Sequence, residues 1–232
     1  MREIVLDTET TGFEPTEGHR IVEIGAVELF NHMPTGRTYH QYINPKRMMP
    51  KEAFEVHGLG DDFLRDKPLF ATIAQAFLDF IADDPLVIHN ASFDMKFLNA
   101  ELAMADMPTL PASRATDTLL IARKKYPGSP ASLDALCRRF NIDNSMREKH
   151  GALLDSEILA EVYLELVGGR QPDFGLATAA QNTVAETTAA GTLWRPRPRP
   201  TPLAPRLTEK ESADHAAFLA SMGDAAIWFK RG

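Results

Sequence analysis

Over the first 168 positions, apolar residues recur with two different periods in turn, and that alternation limits the chain to layered α/β architectures. "REIVLD" (2–7) and "HRIVEIGAVELF" (19–30) read as strands, and "RTYHQYINP" (37–45) as a third with partial alternation. "PLFATIAQAFLDFIAD" (68–83) carries helical spacing and "PLVIHN" (85–90) is a short buried strand. "SFDMKFLNAELAMA" (92–105) is helical, with Ser92 or Asn90 available as its cap. "SLDALCRRFNI" (132–142) and "GALLDSEILAEVYLELVGG" (151–169) are two further helices, the second closing on a glycine pair suited to a helix C-terminus. Three strands followed by alternating helices and strands predict an α/β fold with a mixed sheet.

After Gly169 the periodicity stops. "LATAAQNTVAETTAAGT" is small and polar, and "RPRPRPTPLAP" alternates Arg with Pro, favouring extended polyproline II. Residues 177–202 therefore read as a flexible linker, in which the Arg-Pro run serves as a solvated spacer or touches nucleic acid. Apolar residues return at Phe218, Leu219, Met222, Ile227, Trp228 and Phe229. About thirty residues are too few for a core of their own, so this segment reads as a partner-docking element.

Charge is just as uneven. Seven Lys/Arg against five Asp/Glu from Ala177 onward give +2, which leaves −9 of the total −7 on residues 1–176. Such a balance argues against a protein that simply coats nucleic acid. It does not exclude an enzyme that reaches phosphates through bound cations. No run approaches the roughly 18 apolar residues of a membrane span, and "MREIVLDTE" is too charged for a signal peptide, so a cytosolic location is expected. The lone Cys137 sits among apolar residues at helical spacing and is expected in the core.

The acidic part holds the chemistry. In "IVLDTETTGF" Asp7 and Glu9 stand one residue apart at the end of an apolar run. They read either as a turn or as a metal site, since alternate strand residues share a face. Asp94 follows the strand "PLVIHN" in the first turn of a helix, where a carboxylate also suits the dipole. Asp155 borders the apolar face made by Leu153, Leu154, Ile158, Leu159 and Val162, while Glu157 and Glu161 take the wet side. Four converging carboxylates would not all stay ionised without one or two hard divalent cations, and no Cys/His cluster points to zinc. His150, five residues before Asp155 with Gly151 between them, belongs on the loop entering the helix. An imidazole there can accept a proton from an attacking water.

Taken in order, "DTETTG", "HNASFD" and "HGALLD" resemble the three motifs of the DEDDh, or DnaQ-like, 3′→5′ exonucleases. Within that family the resemblance is nearest to the proofreading subunits of bacterial DNA polymerase III, over residues 2–169 and more weakly over the tail. The resemblance implies a ribonuclease-H-like mixed sheet flanked by helices, followed by a disordered linker and a short partner-binding C-terminal segment. It also implies two Mg²⁺ or Mn²⁺ ions held by Asp7, Glu9, Asp94 and Asp155, His150 as general base, and release of nucleoside 5′-monophosphates from DNA 3′ ends. Substrate contacts would come from Asp7, Thr8, Glu9, Thr10, Gly12 and Asp155, with His57 near the 3′-hydroxyl, Phe93 wedging the terminal base and Asn90 along the strand.

The same resemblance makes Gln171, Phe174 and Leu176, within residues 170–176, a motif for the sliding β clamp. It makes residues 203–232, with Phe218, Leu219, Trp228 and Phe229, the attachment to the polymerase alpha subunit. A small theta-like subunit is a further expected partner, and the bacterial cytosol the expected location. The alternatives are an RNA-end-trimming relative, a stand-alone repair exonuclease, and a non-catalytic assembly subunit.

Overall fold

The computed structural model describes residues 1–146, 149–168 and 208–222. Its sheet is organised around β1 (Arg2–Thr10), which pairs antiparallel with β2 (Ile21–Phe30). β2 in turn pairs antiparallel with β3 (Met33–Tyr42). On its other side β1 pairs parallel with β4 (Leu86–Ile88), and β4 pairs parallel with β5 (Ala115–Asp117). The order β3-β2-β1-β4-β5 is the expected mixed sheet.

Ile4, Val5 and Leu6 are fully buried because both faces of β1 are covered, which explains their unbroken apolar run. Ile4 and Leu6 join the core formed with α3 (Phe70–Ile81) and α4 (Ala91–Met104). On α3, Phe70, Ile73, Ala74, Phe77 and Ile81 recur at helical spacing and all face that core. Val5, Val27, Leu29 and Val87 lie on the opposite face against α7 (Ala152–Val167). α5 (Thr118–Lys125) and α6 (Leu133–Phe140) pack on α7 through Ala122, Leu136, Cys137, Ile158 and Val162, so Cys137 is a core residue as expected. Glu157 and Glu161 are exposed. Glu101 pins α4 to the start of β2: its carboxylate accepts Arg20 Nε at 2.7 Å, Nη2 at 2.6 Å and the Ile21 N–H at 3.2 Å.

Several boundaries differ from the sequence reading. β1 runs on through Asp7 and Glu9 to Thr10, so the two carboxylates are strand residues and not a turn. β3 starts at Met33, four residues early, behind a two-residue connection in which Asn31 and His32 both have positive φ (51° and 64°). Pro34 and Gly36 break its alternation, and such residues suit an exposed edge strand. Helices α1 (Lys51–His57) and α2 (Asp61–Leu64), together with β5 and α5, were not anticipated. α2 and β5 are about one period long, and α1 leaves Phe54 and Val56 exposed, so neither presents a legible face.

Residues 208–222 are described separately, and contain α8 (Glu209–Met222), which carries Phe218 and Leu219. The expected clamp motif at Gln171, Phe174 and Leu176, the linker 177–202, and Ile227, Trp228 and Phe229 lie outside the described residues. Among the described residues, no helix is long and apolar enough to cross a membrane.

Glu28 ties three strands together: its carboxylate accepts Arg2 Nε at 2.5 Å, Arg37 Nη1 at 2.8 Å and Thr35 Oγ1 at 2.8 Å. Burial alone would raise this carboxyl, but Arg2, Thr35 and Arg37 together hold it below its ordinary value. A depressed folded-state pKa gives stability that is complete above the unfolded value and is lost as pH falls below it. The urea midpoint should therefore drop more between about pH 6 and about pH 3.5 in the unaltered chain than in Glu28→Gln. Parallel drops in the two proteins would show that Glu28 makes no such contribution.

Candidate metal centre and cleft

The site is assembled where α7 meets β2. Across the β1–β2 ladder Asp7 lies opposite Gly25 and Glu9 opposite Glu23, and opposed residues share a face. A Cβ on Gly25 would lie 2.2 Å from the Ala152 carbonyl carbon and the Leu153 nitrogen, so only glycine lets the first turn of α7 rest on the β2 backbone. Ser156 Oγ reinforces the contact, 3.0 Å from Gly25 O and 2.7 Å from Ala152 O. This approach lowers Asp155, 3% exposed, onto the face that carries Asp7 and Glu9.

Asp94 arrives from the first turn of α4 and is also 3% exposed. Its Oδ1 accepts the Thr8 N–H at 3.1 Å and Thr8 Oγ1 at 2.7 Å. Burial pushes the carboxyl up to about 7, against the two Thr8 bonds, with the Asp117 charge adding to the rise. The start of α4 is set without a cap from its own residues. Asn90 sits there in the left-handed region (φ 66°, ψ 52°) and makes no side-chain capping bond. Asp117 instead accepts the Asn90 and Ala91 N–H groups, both at 3.2 Å, and also caps α5 through the Leu119 N–H at 2.9 Å. One carboxylate thus orients two helix starts beside the cleft.

His150 lies just before α7, on the loop expected of it. Its Nδ1 is 3.4 Å from Asp155 Oδ2 and its side chain is 47% exposed. The loop is held against α1: the His150 N–H donates to Val56 O at 3.2 Å and Lys149 Nζ stands 5.1 Å over the Phe54 ring. Gly58, with φ +75°, leaves room for the Lys149 stem, which an added Cβ would meet at 2.8 Å. One ligand atom each from Glu9, His150 and Asp155 lie within 4.8 Å of one another.

Asp7, Glu9, Asp94, Asp155 and His150 all line one cleft of about 720 Å³, in the range of small-molecule sites, together with Thr8, Asn90 and Phe93. Of the expected substrate-contacting residues, Thr10, Gly12 and His57 do not line it. Thr10 Oγ1 donates to Gly12 O at 2.6 Å, and Gly12 gives the His19 ring room where a Cβ would meet it at 2.3 Å. His57 is buried, and its Nδ1 accepts the Leu59 N–H at 3.0 Å. Burial, with the nearby Lys149 and His150 charges, lowers its pKa against the opposing pull of the Thr10 carbonyl.

The sequence reading missed Phe13, His89, Leu119, Arg123, Ser132, Leu133 and Asp134 of the cleft lining, and Glu23, Gly25 and Asp117, which support the site from behind; Phe13 is 80% exposed. Glu23 is buried opposite Glu9 and is bonded to His40 Nε2 at 2.7 Å. An aromatic residue directly after "TTG" was a readable signal for Phe13; register alone reveals Glu23 and Gly25.

The donor set suits a divalent metal. Four carboxyls and an imidazole line one cleft, and burial disfavours the ionised form of Asp94, a penalty that a cation would offset. Oxygen-rich donors of this kind favour hard ions.

The chain is similar to known proteins in both sequence and fold. The exonuclease family profile, of RNase T type, matches residues 4–163. A DNA polymerase III subunit epsilon of Rickettsia conorii is 50% identical over 225 residues, covering 95% of this chain and 96% of that protein. The subunit of the same name from Escherichia coli K12 is 53% identical over 176 residues, 73% of this chain and 72% of that protein. Among solved structures, the nuclease domain of 3′hExo, described as a DEDDh family member, superposes with a TM-score of 0.60 at 18% identity, covering 72% of this chain and 91% of that one. Exonuclease X with 5′-overhanging duplex DNA gives 0.57 at 24% identity, covering 71% and 90%.

Gly25→Ala should force α7 off the sheet. The expected result is a melting temperature lower by several degrees, from about 1–3 kcal/mol of overpacking, and Mn²⁺ affinity reduced at least about tenfold by the displaced Asp155. Calorimetric Mn²⁺ titration equal to that of the unaltered chain would dissociate the α7 contact from the metal site.

Proposed function

Because the chain belongs to the exonuclease family, in the branch of the DNA polymerase III epsilon subunits, we propose that it removes mismatched 3′-terminal nucleotides from DNA as the proofreading subunit of the replicative polymerase. The observation that carries the catalytic part of this reading is the convergence of Asp7, Glu9, Asp94, Asp155 and His150 on one cleft.

Divalent ions, two per site and Mg²⁺ or Mn²⁺, would be held by Asp7, Glu9, Asp94 and Asp155, and would supply the positive charge that lets these groups ionise together and polarises the scissile phosphate. His150 accepts a proton from the water that attacks the terminal phosphorus. The bond from phosphorus to the penultimate O3′ breaks, that oxygen takes up a proton, and a nucleoside 5′-monophosphate leaves. Partial exposure of His150 lets it return its proton to solvent. Asp155, 3.4 Å away, holds the imidazole in position. Thr8, by donating two hydrogen bonds to Asp94, fixes that carboxylate's rotamer. Phe93 and the exposed Phe13 offer stacking surfaces for the last bases, and Asn90 lies beside the strand. The main chain at Thr8 and Glu9, which line the cleft, holds the terminal nucleotide, with Thr10, Gly12 and the buried His57 behind that lining.

The tail completes the reading. Residues 203–232 attach the enzyme to the polymerase alpha subunit, with Phe218, Leu219, Trp228 and Phe229 as anchors. Gln171, Phe174 and Leu176 engage the sliding β clamp, residues 177–202 act as a tether, and a theta-like subunit is a further partner. The bacterial cytosol, at the replisome, is the site of action. The epsilon relatives, named as subunits of a DNA polymerase, support DNA over RNA ends as the substrate. Faster trimming of RNA 3′ ends would favour the RNA-processing alternative.

A 3′-mismatched primer with Mg²⁺ should release mononucleotides, and EDTA should stop it; absence of release would overturn the reading. Asp7→Ala and Asp155→Ala should abolish release with little loss of folding, because each removes a repelling charge while emptying a ligand position. His150→Ala should slow turnover by about 10²–10⁴-fold and leave Mn²⁺ binding nearly intact. Near-normal turnover in Asp7→Ala would exclude the metal assignment. Deleting residues 203–232 should spare digestion of single-stranded DNA but end co-elution with the alpha subunit. Retained co-elution would place the attachment elsewhere.

A further inference from the structure

The cleft continues beyond the carboxylates. Leu119 and Arg123, one helical turn apart on α5, line its far side together with Ser132, Leu133 and Asp134 at the start of α6. Arg138 stands one further turn along α6 from Asp134 and, with Ala135 and Arg139, lines a shallow groove against Pro130. The two helices therefore extend the acidic cleft into a surface of opposite sign. Residues 118–140 hold Arg123, Lys124, Lys125, Arg138 and Arg139 against Asp134 alone, a net +4, while the rest of residues 1–176 carries −13. All five cations are exposed.

They are not equivalent. Lys125 Nζ is committed to the end of α7, donating to Leu166 O at 3.0 Å, and Arg139 stacks on Tyr126 at 4.3 Å. Arg123, Lys124 and Arg138 make no hydrogen bond or ion pair with other described residues. The one carboxylate of the group, Asp134, is within 3.2 Å of Asn144 Nδ2. The base of the surface is fixed: His89 Nδ1 lies 2.9 Å from Thr118 Oγ1 at the start of α5, and its ring also reaches the Ala131 carbonyl in the α5–α6 loop.

We propose that α5 and α6 form a phosphate track for the single strand upstream of the scissile bond, with Arg123 contacting a phosphate close to the reacting one and Arg138 a later one. The proposal rests on the exonuclease reading above and adds a direction to it. A strand whose 3′ end lies among the carboxylates has its remaining phosphates drawn across the cations of the far wall, while the acidic remainder of the surface repels other paths. Cations with no ion pair among the described residues give up none there when they meet phosphate.

The full chain is assayed on two substrates: a 12-nucleotide single strand, and a nucleoside 5′-phosphate aryl ester, which has no upstream strand. In Arg123→Ala and Arg138→Ala the KM for the strand should rise roughly 5–10-fold, and in Arg138→Ala, a position outside the lining of the catalytic cleft, strand-to-ester selectivity in kcat/KM should fall by the same factor. The logarithmic salt dependence of the strand KM should become shallower by about 0.7 per cation removed. Arg65→Ala, which removes a cation elsewhere, should leave that slope as it is. An unchanged strand KM and slope in both track variants would overturn the proposal, as would parallel losses on strand and ester in Arg138→Ala, which would mean damage to the reacting centre. If the unaltered chain cleaves neither substrate, the exonuclease reading falls and the track with it.

Discussion

At Gly25 the backbone of α7 rests on the backbone of β2, closer than any side chain allows, and directly opposite Asp7 in the next strand. Residues eighteen positions apart in β1 and β2, and a helix that begins more than a hundred positions later, are brought together by that one missing Cβ. The contact is held from both sides. Ser156 spans the junction with its hydroxyl, while Val5, Val27, Leu159 and Tyr163 bury apolar surface farther along the same crossing. A longer spacing between α7 and the sheet would leave Asp155 and His150 stranded from Glu9. Helix packing distance, set by one residue, is therefore what gives the acidic cleft its dimensions.

Collecting negative charge at one end of a buried sheet is costly, and the surroundings show how the fold bears it. Glu9 and Glu23 face one another across the β1–β2 ladder, an arrangement that is destabilising on its own. Glu23 is bonded to His40 from the edge strand, which draws its charge away from the cleft. Farther along the same face, Glu3 accepts Tyr163 Oη at 2.7 Å and lies 2.7 Å from His32 Nδ1. Burial pushes the Tyr163 hydroxyl upward, and Glu3 adds to the rise, so that group stays a donor. Asp94 has a different compensation. Thr8 gives it two hydrogen bonds, yet burial still lifts its pKa to about 7. Within the cleft, four carboxyls share one face of the fold and one of them is held above its ordinary pKa, an arrangement suited to a bound cation.

Much of this was legible in the sequence because the strongest signals are local. An unbroken apolar run marks β1 as covered on both faces, the spacing of Phe70, Ile73, Phe77 and Ile81 marks α3, and the order of the three acidic motifs survives any error in element boundaries. Signals that depend on register or on tertiary contact were invisible. Gly25 reads as an ordinary small strand residue until its partner across the ladder and the helix above it are known. Asp117 reads as an isolated acid, although it caps α5 and also receives the first amides of α4. The cap sought at Asn90 or Ser92 therefore comes from another strand. β5 and α2 were lost because three or four residues cannot display a period, and β3 was shortened because Pro34 and Gly36, which suit an edge strand, erase its alternation.

The charge distribution bears on how such an enzyme meets its substrate. Residues 1–176 carry −9, with the cations of α5 and α6 as a local exception. Three cations with no ion pair among the described residues would release only a few counterions when a strand binds, so the electrostatic part of the affinity would be small and would weaken further at physiological salt. On the function proposed above, such a domain would dissociate readily from DNA ends, and its access to a primer would be governed by how near it is kept. Tethering through the proposed attachment of residues 203–232 to the polymerase supplies that proximity as effective concentration, without adding any contact in the cleft. Weak intrinsic binding then becomes useful. A tightly held 3′ end would compete with polymerisation, whereas a loosely held one is digested mainly when a mismatch has already freed it from the template.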